Sequence, residues 1–354
     1  MKTIVLTGGG TAGHVIPNIA LIPHLKEAGY SIHYIGSKEG IERELIEGME
    51  GITYHAIASG KLRRYVSAKN FTDPFRIMAG TAQAIALIRR IKPSVLFSKG
   101  GFVAVPVVFA AKTCGVPVVI HESDITPGLA NRLSRPFAKV MCTTFEQAAK
   151  VAGEKGVVTG SPVRPEILKG NAERGLALCG FKKGRPVLLV MGGSSGATAL
   201  NEAIDQNIDK LTRHYQIIHI RGGDHLSPKL EGTEGYRQFG YIKDELPDIL
   251  AAADVVLSRA GANAIFEFAA LHKPMLLIPL PLSASRGDQI KNAKYFQEKG
   301  WARVLDQEKM DAQTLFDELL KTYEERGRLS QNLADANAEN GLMRLFEEIM
   351  KAAK

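Results

Sequence analysis

Met1-Lys2-Thr3-Ile4-Val5-Leu6-Thr7-Gly8-Gly9-Gly10-Thr11-Ala12-Gly13-His14 opens the chain, an apolar run that stops abruptly in glycines. The helical pattern of Val15–Ala28 follows directly. Strand, glycine loop and helix in that order form a βα opening, in which glycines let backbone N–H groups approach an anion. The same order returns at Val187-Leu188-Leu189-Val190-Met191-Gly192-Gly193-Ser194-Ser195-Gly196. Around these two starts, apolar runs predict strands near Ser31–Ile35, Val95–Ser98, Val116–His121, Val140–Thr143, Gln216–Arg221, Val255–Ser258, Met275–Ile278 and Arg303–Leu305. Helical patterns near Phe75–Ile91, Val105–Thr113 and Phe145–Val151 alternate with the strands of the first half. Such alternation predicts an α/β protein with parallel sheets covered by helices on both faces. The turn-rich passage Gly153–Pro165 separates the repeats, giving two doubly wound domains over residues 1–163 and 164–333. A helical pattern over 334–354 is placed to pack back on the first.

Length and composition agree with that reading. The 354 residues suit two domains of ordinary size, and 45% hydrophobic with 23% charged residues excludes a disordered or collagen-like chain. No apolar run approaches the roughly eighteen residues of a spanning helix, and the opening strand is not a signal peptide. Cys114, Cys142 and Cys179 are odd in number and far apart, against both a disulfide framework and a cysteine zinc site. A reducing cytoplasm is the expected compartment.

The net charge of +8 is unevenly held. Residues 1–163 contain 19 Lys+Arg against 11 Asp+Glu, whereas the remainder contains 26 of each. Within 61–121 there are ten cations and one acid, Asp73. Arg63, Arg64 and Arg76 are interleaved there with Phe71, Phe75 and Ile77. Apolar tips among cations suit an anionic membrane surface, with the rings dipping in and the cations on phosphates. No nucleic-acid-binding module is visible, and no nucleic-acid partner is expected.

Gly8–Gly13 satisfies the dinucleotide fingerprint, but the second strand ends Tyr34-Ile35-Gly36-Ser37-Lys38-Glu39 without the acid that would hold a ribose. Glycine loops recur at Lys99-Gly100-Gly101 and Gly192–Gly196, each at the carboxyl end of an expected strand. Three such loops lining one cleft favour phosphate-bearing ligands. Ser258-Arg259-Ala260-Gly261-Ala262-Asn263 leaves another strand and opens a helix bearing Glu267. Small residues there admit a diphosphate to the helix N-terminus, and a carboxylate accepts both hydroxyls of a ribose. Asp288 and Gln289 are placed to read sugar hydroxyls, or simply to start a helix.

Taken together, Gly8–His14, Ser98–Phe102, His121-Glu122-Ser123-Asp124, Gly160-Ser161-Pro162-Val163-Arg164, Gly192–Gly196 and Ala260–Glu267 resemble the MurG family. The resemblance runs in order from the first strand to about residue 305. It implies a GT-B fold, with the two Rossmann-like domains facing across a cleft. It further implies inverting transfer of N-acetylglucosamine from UDP-GlcNAc to the 4-hydroxyl of MurNAc in a polyprenyl-diphosphate-linked acceptor, lipid I, giving lipid II for peptidoglycan. The expected partners are that donor, the acceptor lipid, the membrane and possible wall-assembly enzymes; the expected location is the cytoplasmic face of the cell membrane.

Residue by residue, the resemblance places Thr11, Ala12 and Gly13 beside the donor sugar and the acceptor diphosphate. Gly10, His14, Gly100 and Gly101 join the acceptor site. Arg164 and Ser194 match diphosphate contacts, Ile242 the backbone that reads uracil, Glu267 the ribose acid and Gln289 a sugar contact. Ala262 and Asn263 belong to the same donor set. Asp124, Ser195 and Asp288 depart from the family's Asn, Gln and Gln, which alters fine sugar contacts and spares the phosphate and ribose contacts. His14 is the expected general base, its imidazole suited to proton abstraction at neutral pH; the competing reading is a histidine that only caps the first helix. Glu122 is the alternative base or an orienting group. No Asp-x-Asp arrangement is placed for a divalent ion, so neither metal nor cofactor is expected, and loop amides with Arg164 would stabilise the leaving diphosphate. A related UDP-sugar glycolipid glycosyltransferase is the alternative within the fold, with an epimerase, a nucleotide-sugar sensor and a dinucleotide oxidoreductase behind it.

Overall fold

The computed structural model describes residues 2–60, 69–193, 196–223, 225–336 and 340–353. Arg63, Arg64, Ser194 and Ser195 lie outside the described residues, as does the side chain of Phe71. The chain divides into two compact units, Met1–Pro162 with Asn340–Lys354, and Val163–Glu339.

The first unit is built on seven parallel strands: β1 (Lys2–Thr7), β2 (Tyr30–Ser37), β3 (Ile52–Ile57), β4 (Val95–Ser98), β5 (Val118–Glu122), β6 (Val140–Thr143) and β7 (Gly156–Val158). Their order is β3-β2-β1-β4-β5-β6-β7. Because side chains alternate along a strand, Ile4 and Leu6 face one layer while Val5 faces the other. The first layer is closed by Leu21 and Leu25 from the helix Ile16–Glu27 and by Leu345 and Ile349 from the helix Gly341–Ala352. The second is closed by Ile88 and by Val107, Val108 and Ala111.

The second unit repeats the plan with β8 (Val187–Met191), β9 (Gln216–Ile220), β10 (Tyr236–Phe239), β11 (Val255–Ser258), β12 (Met275–Leu277) and β13 (Ala302–Val304), ordered β10-β9-β8-β11-β12-β13. Leu189 and Val256 pack toward Phe268 and Phe296, whereas Leu188, Val190 and Leu257 pack toward Leu200, Ile204 and Leu315. In each sheet the strand order reverses at one point, between β1 and β4 and again between β8 and β11. Loops leaving two such strands diverge, so each reversal opens a crevice at the strands' carboxyl ends.

Three strands had no expectation from the sequence: β3, β7 and β10, all of them sheet edges. The helix expected at Phe75–Ile91 begins at Lys69 and carries Pro74 inside it; proline removes an N–H and so reads as a boundary. The pattern over 334–354 resolves into the end of the helix Arg326–Asp335 and a separate helix, Gly341–Ala352. That last helix starts in close contact: Gly341 N donates to Ser161 O at 2.9 Å. A Cβ on Gly341 would lie 2.4 Å from the carbonyl carbon of Gly160. Leu345 is fully buried beneath it. Leu345→Ala is expected to cost about 2–5 kcal/mol, the range for truncating a buried leucine, measured as a lower urea midpoint for the first unit; an unshifted midpoint would show that the helix contributes little.

Candidate active site

In the first unit the glycine loop after β1 is held from several sides. Tyr34 Oη donates to Gly8 O at 2.7 Å, and Asn18 Nδ2 donates to Thr7 O and His14 O, both at 3.3 Å. The buried Glu42 accepts from Gly10 N at 3.0 Å and from Ser37 N and Oγ. Gly10 was expected among the diphosphate donors; in the structure its amide hydrogen is committed to Glu42. The loop after β4 docks against this one through Gly9 N to Gly100 O, 3.3 Å. Gly101 has φ +88°, and a Cβ on it would fall 2.1 Å from Gly9 O. Only glycine allows the two loops to meet this closely.

Ala12, Gly13 and His14 form a single 3-10 turn ahead of the first helix. His14 Nδ1 lies 3.0 Å from Gly9 O and 3.2 Å from Thr11 Oγ1. A carbonyl oxygen only accepts, so Nδ1 carries a proton, and in the neutral ring Nε2 then carries the lone pair. The imidazole is therefore oriented, and in the tautomer a proton acceptor needs.

Glu122 ends β5 and is buried. Its carboxylate accepts from Asp124 N (3.0 Å), Gly128 N (2.9 Å) and Asn131 Nδ2 (2.9 Å). Three of its roughly four lone-pair directions thus shape the loop that holds Asp124. Beside it Lys99 is fully buried and donates to Ser123 Oγ at 2.6 Å. Burial lowers the Lys99 ammonium to about 8, against the opposing pull of Glu122 and Asp124. His121 is held well below its usual range by burial and then by Lys99, so it is neutral.

In the second unit Gly193, φ +100°, turns the chain after β8, and Gly196 N returns to Gly193 O at 2.9 Å. Gly261 is the N-cap of the helix Ala262–Ala270, whose first amides have no acceptor within the helix. Arg259 is buried just ahead of it; Nη1 donates to Ile278 O at 3.1 Å, and Nε has no hydrogen-bond partner among the described residues. Asn292 Nδ2 ties Ala260 O to the helix Asp288–Glu298 at 3.1 Å. Ile242 is buried nearby in sequence order after β10. Asp288 pairs with Arg286 at 3.0 Å, and Gln289 Oε1 accepts from Leu280 N at 3.1 Å.

The most consequential contact joins two residues assigned separate tasks. Arg164 Nε donates to Glu267 Oε1 at 2.9 Å and Nη2 to Oε2 at 3.2 Å. Burial raises the Glu267 carboxyl above its ordinary range, with Arg164 pulling it back.

Gly10–His14, Gly100, Gly101, Glu122 and Asp124 thus share the first unit, and Arg164, Ile242, Ala262, Asn263, Glu267, Asp288 and Gln289 share the second. The sequence reading missed Glu42, Lys99, Asn131, Arg259 and Asn292. Lys99 and Arg259 stood in plain view directly after strands and beside glycines. Glu42 and the two asparagines bear no local signal. Among the described residues no group of three His, Cys, Asp or Glu side chains is placed to hold a metal ion.

Comparison with known proteins decides the family. Residues 4–143 match the glycosyltransferase family 28 N-terminal domain, and residues 187–349 match its C-terminal domain. The UDP-N-acetylglucosamine--N-acetylmuramyl-(pentapeptide) pyrophosphoryl-undecaprenol N-acetylglucosamine transferase of Clostridium botulinum (strain Langeland) is 51% identical over the full length of both chains. The enzyme of the same name from Clostridium tetani is also 51% identical, over 99% of this chain and 98% of its own. This chain belongs to the MurG family of family 28 glycosyltransferases. Its fold agrees: the crystal structure of Acinetobacter baumannii MurG superposes with a TM-score of 0.75 at 25% identity, covering 99% of this chain and all of that one. CalG4, the calicheamicin glycosyltransferase, shares the fold at a TM-score of 0.70 and 14% identity, over 99% of this chain and 98% of its own. As a MurG-family chain it has the GT-B architecture of two parallel-sheet α/β units, and is a glycosyltransferase.

Proposed function

We propose that this enzyme transfers N-acetylglucosamine from UDP-GlcNAc to the 4-hydroxyl of the N-acetylmuramyl unit of a polyprenyl-diphosphate-linked pentapeptide acceptor, the lipid I to lipid II step of peptidoglycan synthesis. End-to-end likeness to enzymes named for this transfer carries the reading. His14 Nε2 takes the proton of the acceptor hydroxyl as its oxygen attacks the anomeric carbon of GlcNAc. The bond from that carbon to the phosphate oxygen breaks, UDP leaves with the electron pair, and the anomeric centre inverts. Arg164, Arg259 and the first amides of the helix Ala262–Ala270 offset the charge growing on the leaving diphosphate. Glu122 positions the loop carrying Asp124, leaving proton abstraction to His14. Ile242 reads the base, Glu267 the ribose, and Asp288 with Gln289 the sugar. Thr11, Ala12 and Gly13 with Gly100 and Gly101 receive the reacting sugar and the acceptor diphosphate.

The test is direct. Labelled UDP-GlcNAc and a short-chain diphospho-MurNAc-pentapeptide lipid should yield a β-linked disaccharide lipid and UDP in equal amounts. Release of free GlcNAc without that product would overturn the proposal.

We place the enzyme peripherally at the cytoplasmic face of the membrane. Among the described residues no helix is long and apolar enough to cross a bilayer. Phe75 is 72% and Met78 68% exposed, three positions apart on the helix Lys69–Ile91, with Arg76 exposed between them. That spacing puts both apolar side chains on one helix face. Ile77, expected in the same contact, is part-buried, and Met78 is the second strongly exposed apolar residue there. Phe75→Ser with Met78→Ser and Arg76→Glu should weaken binding to anionic vesicles about tenfold or more in sedimentation, since two buried apolar side chains and one cation are lost. Wild-type binding by that variant would move the membrane contact elsewhere.

A further inference from the structure

Both oxygens of Glu267 accept from Arg164, yet the donor reading gives those oxygens to a ribose diol and the guanidinium to a diphosphate. The two tasks exclude the contact seen here. Glu267 is the fixed partner: it is 7% exposed, on the helix Ala262–Ala270. Arg164 is the movable one, its side chain 24% exposed on a long flexible stem. Its backbone is extended, at the entry to the short turn Pro165–Lys169. Five residues of helix separate Ala262 from Glu267, about 7.5 Å at the α-helical rise. That axial distance from Glu267 to the helix start is comparable with the length of an arginine side chain.

Resting on the donor reading above, we infer that Arg164 stands in for the ribose on Glu267 and is exchanged for it when the nucleotide binds. The diol takes the two carboxylate oxygens, and the displaced guanidinium passes to the diphosphate. A ligand with both groups satisfies both residues. A nucleoside with a diol alone must break the ion pair and leaves Arg164 without an anion. A diphosphate alone draws Arg164 away and leaves Glu267 buried and unpaired, which is costly. The pair thus selects ligands that carry diol and diphosphate together, and makes the two recognitions interdependent.

The exchange predicts a gain of affinity that a simple phosphate contact does not. Uridine and UDP are titrated calorimetrically into the full chain at pH 8. Arg164→Ala should weaken UDP about tenfold or more and tighten uridine about tenfold. Arg164→Lys, which keeps the cation but cannot hold both oxygens in a fork, should tighten uridine while retaining most of the UDP affinity. It also carries the test should the alanine variant fold poorly. Uridine binding that is unchanged or weaker in both variants, with UDP weakened, would overturn the exchange and leave Arg164 as a diphosphate contact only. If wild-type enzyme bound neither uridine nor UDP but did bind another nucleoside diphosphate, the donor reading itself would fail.

Discussion

His14→Ala is expected to lower kcat by about two to four powers of ten, the usual contribution of a positioned general base. The imidazole is fixed through Nδ1 by Gly9 O, which sets the lone pair on Nε2. Losing the side chain removes the proton acceptor and also the tie that steadies Gly9, so one variant alone would confound chemistry with loop geometry. His14→Gln separates them, because its amide can still donate to Gly9 O yet accepts no proton at neutral pH. Both variants should lose kcat by similar factors while UDP affinity, which the proposed function assigns to the second unit, stays within about twofold. A glutamine variant near the wild-type rate would remove His14 from the base role and return Glu122 to consideration, despite its three loop contacts.

Glu267→Gln should weaken UDP about a hundredfold, as two charge-assisted hydrogen bonds to the diol become one neutral acceptor and one misplaced donor. Discrimination against 2′-deoxy-UDP should shrink in the same variant, because there is less diol contact to lose. The pH dependence has a definite sign. Burial raises the Glu267 carboxyl, so it takes up a proton at higher pH than an ordinary carboxylate does. Wild-type affinity for UDP-GlcNAc, whose esterified diphosphate has no second ionisation near neutrality, should then fall as pH drops through that raised value, while the glutamine variant should fall much less. A parallel fall in both would place the titrating group elsewhere.

How much of this could be read from the chain depends on where each residue sits in the sheets. Central strands such as β1, β4, β8 and β11 are covered on both faces, so they appear as unbroken apolar runs. The glycine loops adjoin them and were legible for that reason. Three of the four edge strands lose the signal. Ile52–Ile57 contains Thr53, Tyr54 and His55 and is mostly part-exposed, Gly156–Val158 is three residues long, and Tyr236–Phe239 carries Arg237 and Gln238. Motif-borne residues such as His14, Arg164 and Glu267 were nameable at once, but the pairings among site residues were not. Glu42 meets Gly10 across 32 positions, and Arg164 meets Glu267 across 103. No local pattern encodes such pairings, because they arise only when separate strands deliver their loops to one sheet end. The consequence is concrete: the sequence assigned Gly10 to a diphosphate, and the fold assigns its amide to Glu42.

The central claim is a division of labour, with the donor nucleotide held by the second unit and the acceptor's base supplied by the first. A crystal structure with UDP-GlcNAc tests it most directly. The account predicts uracil at the Ile242 backbone, the ribose diol on Glu267 with Arg164 moved to the diphosphate, and the phosphates at the start of the helix Ala262–Ala270. Uridine bound instead among Gly8–Gly13, with Arg164 still on Glu267, would contradict it.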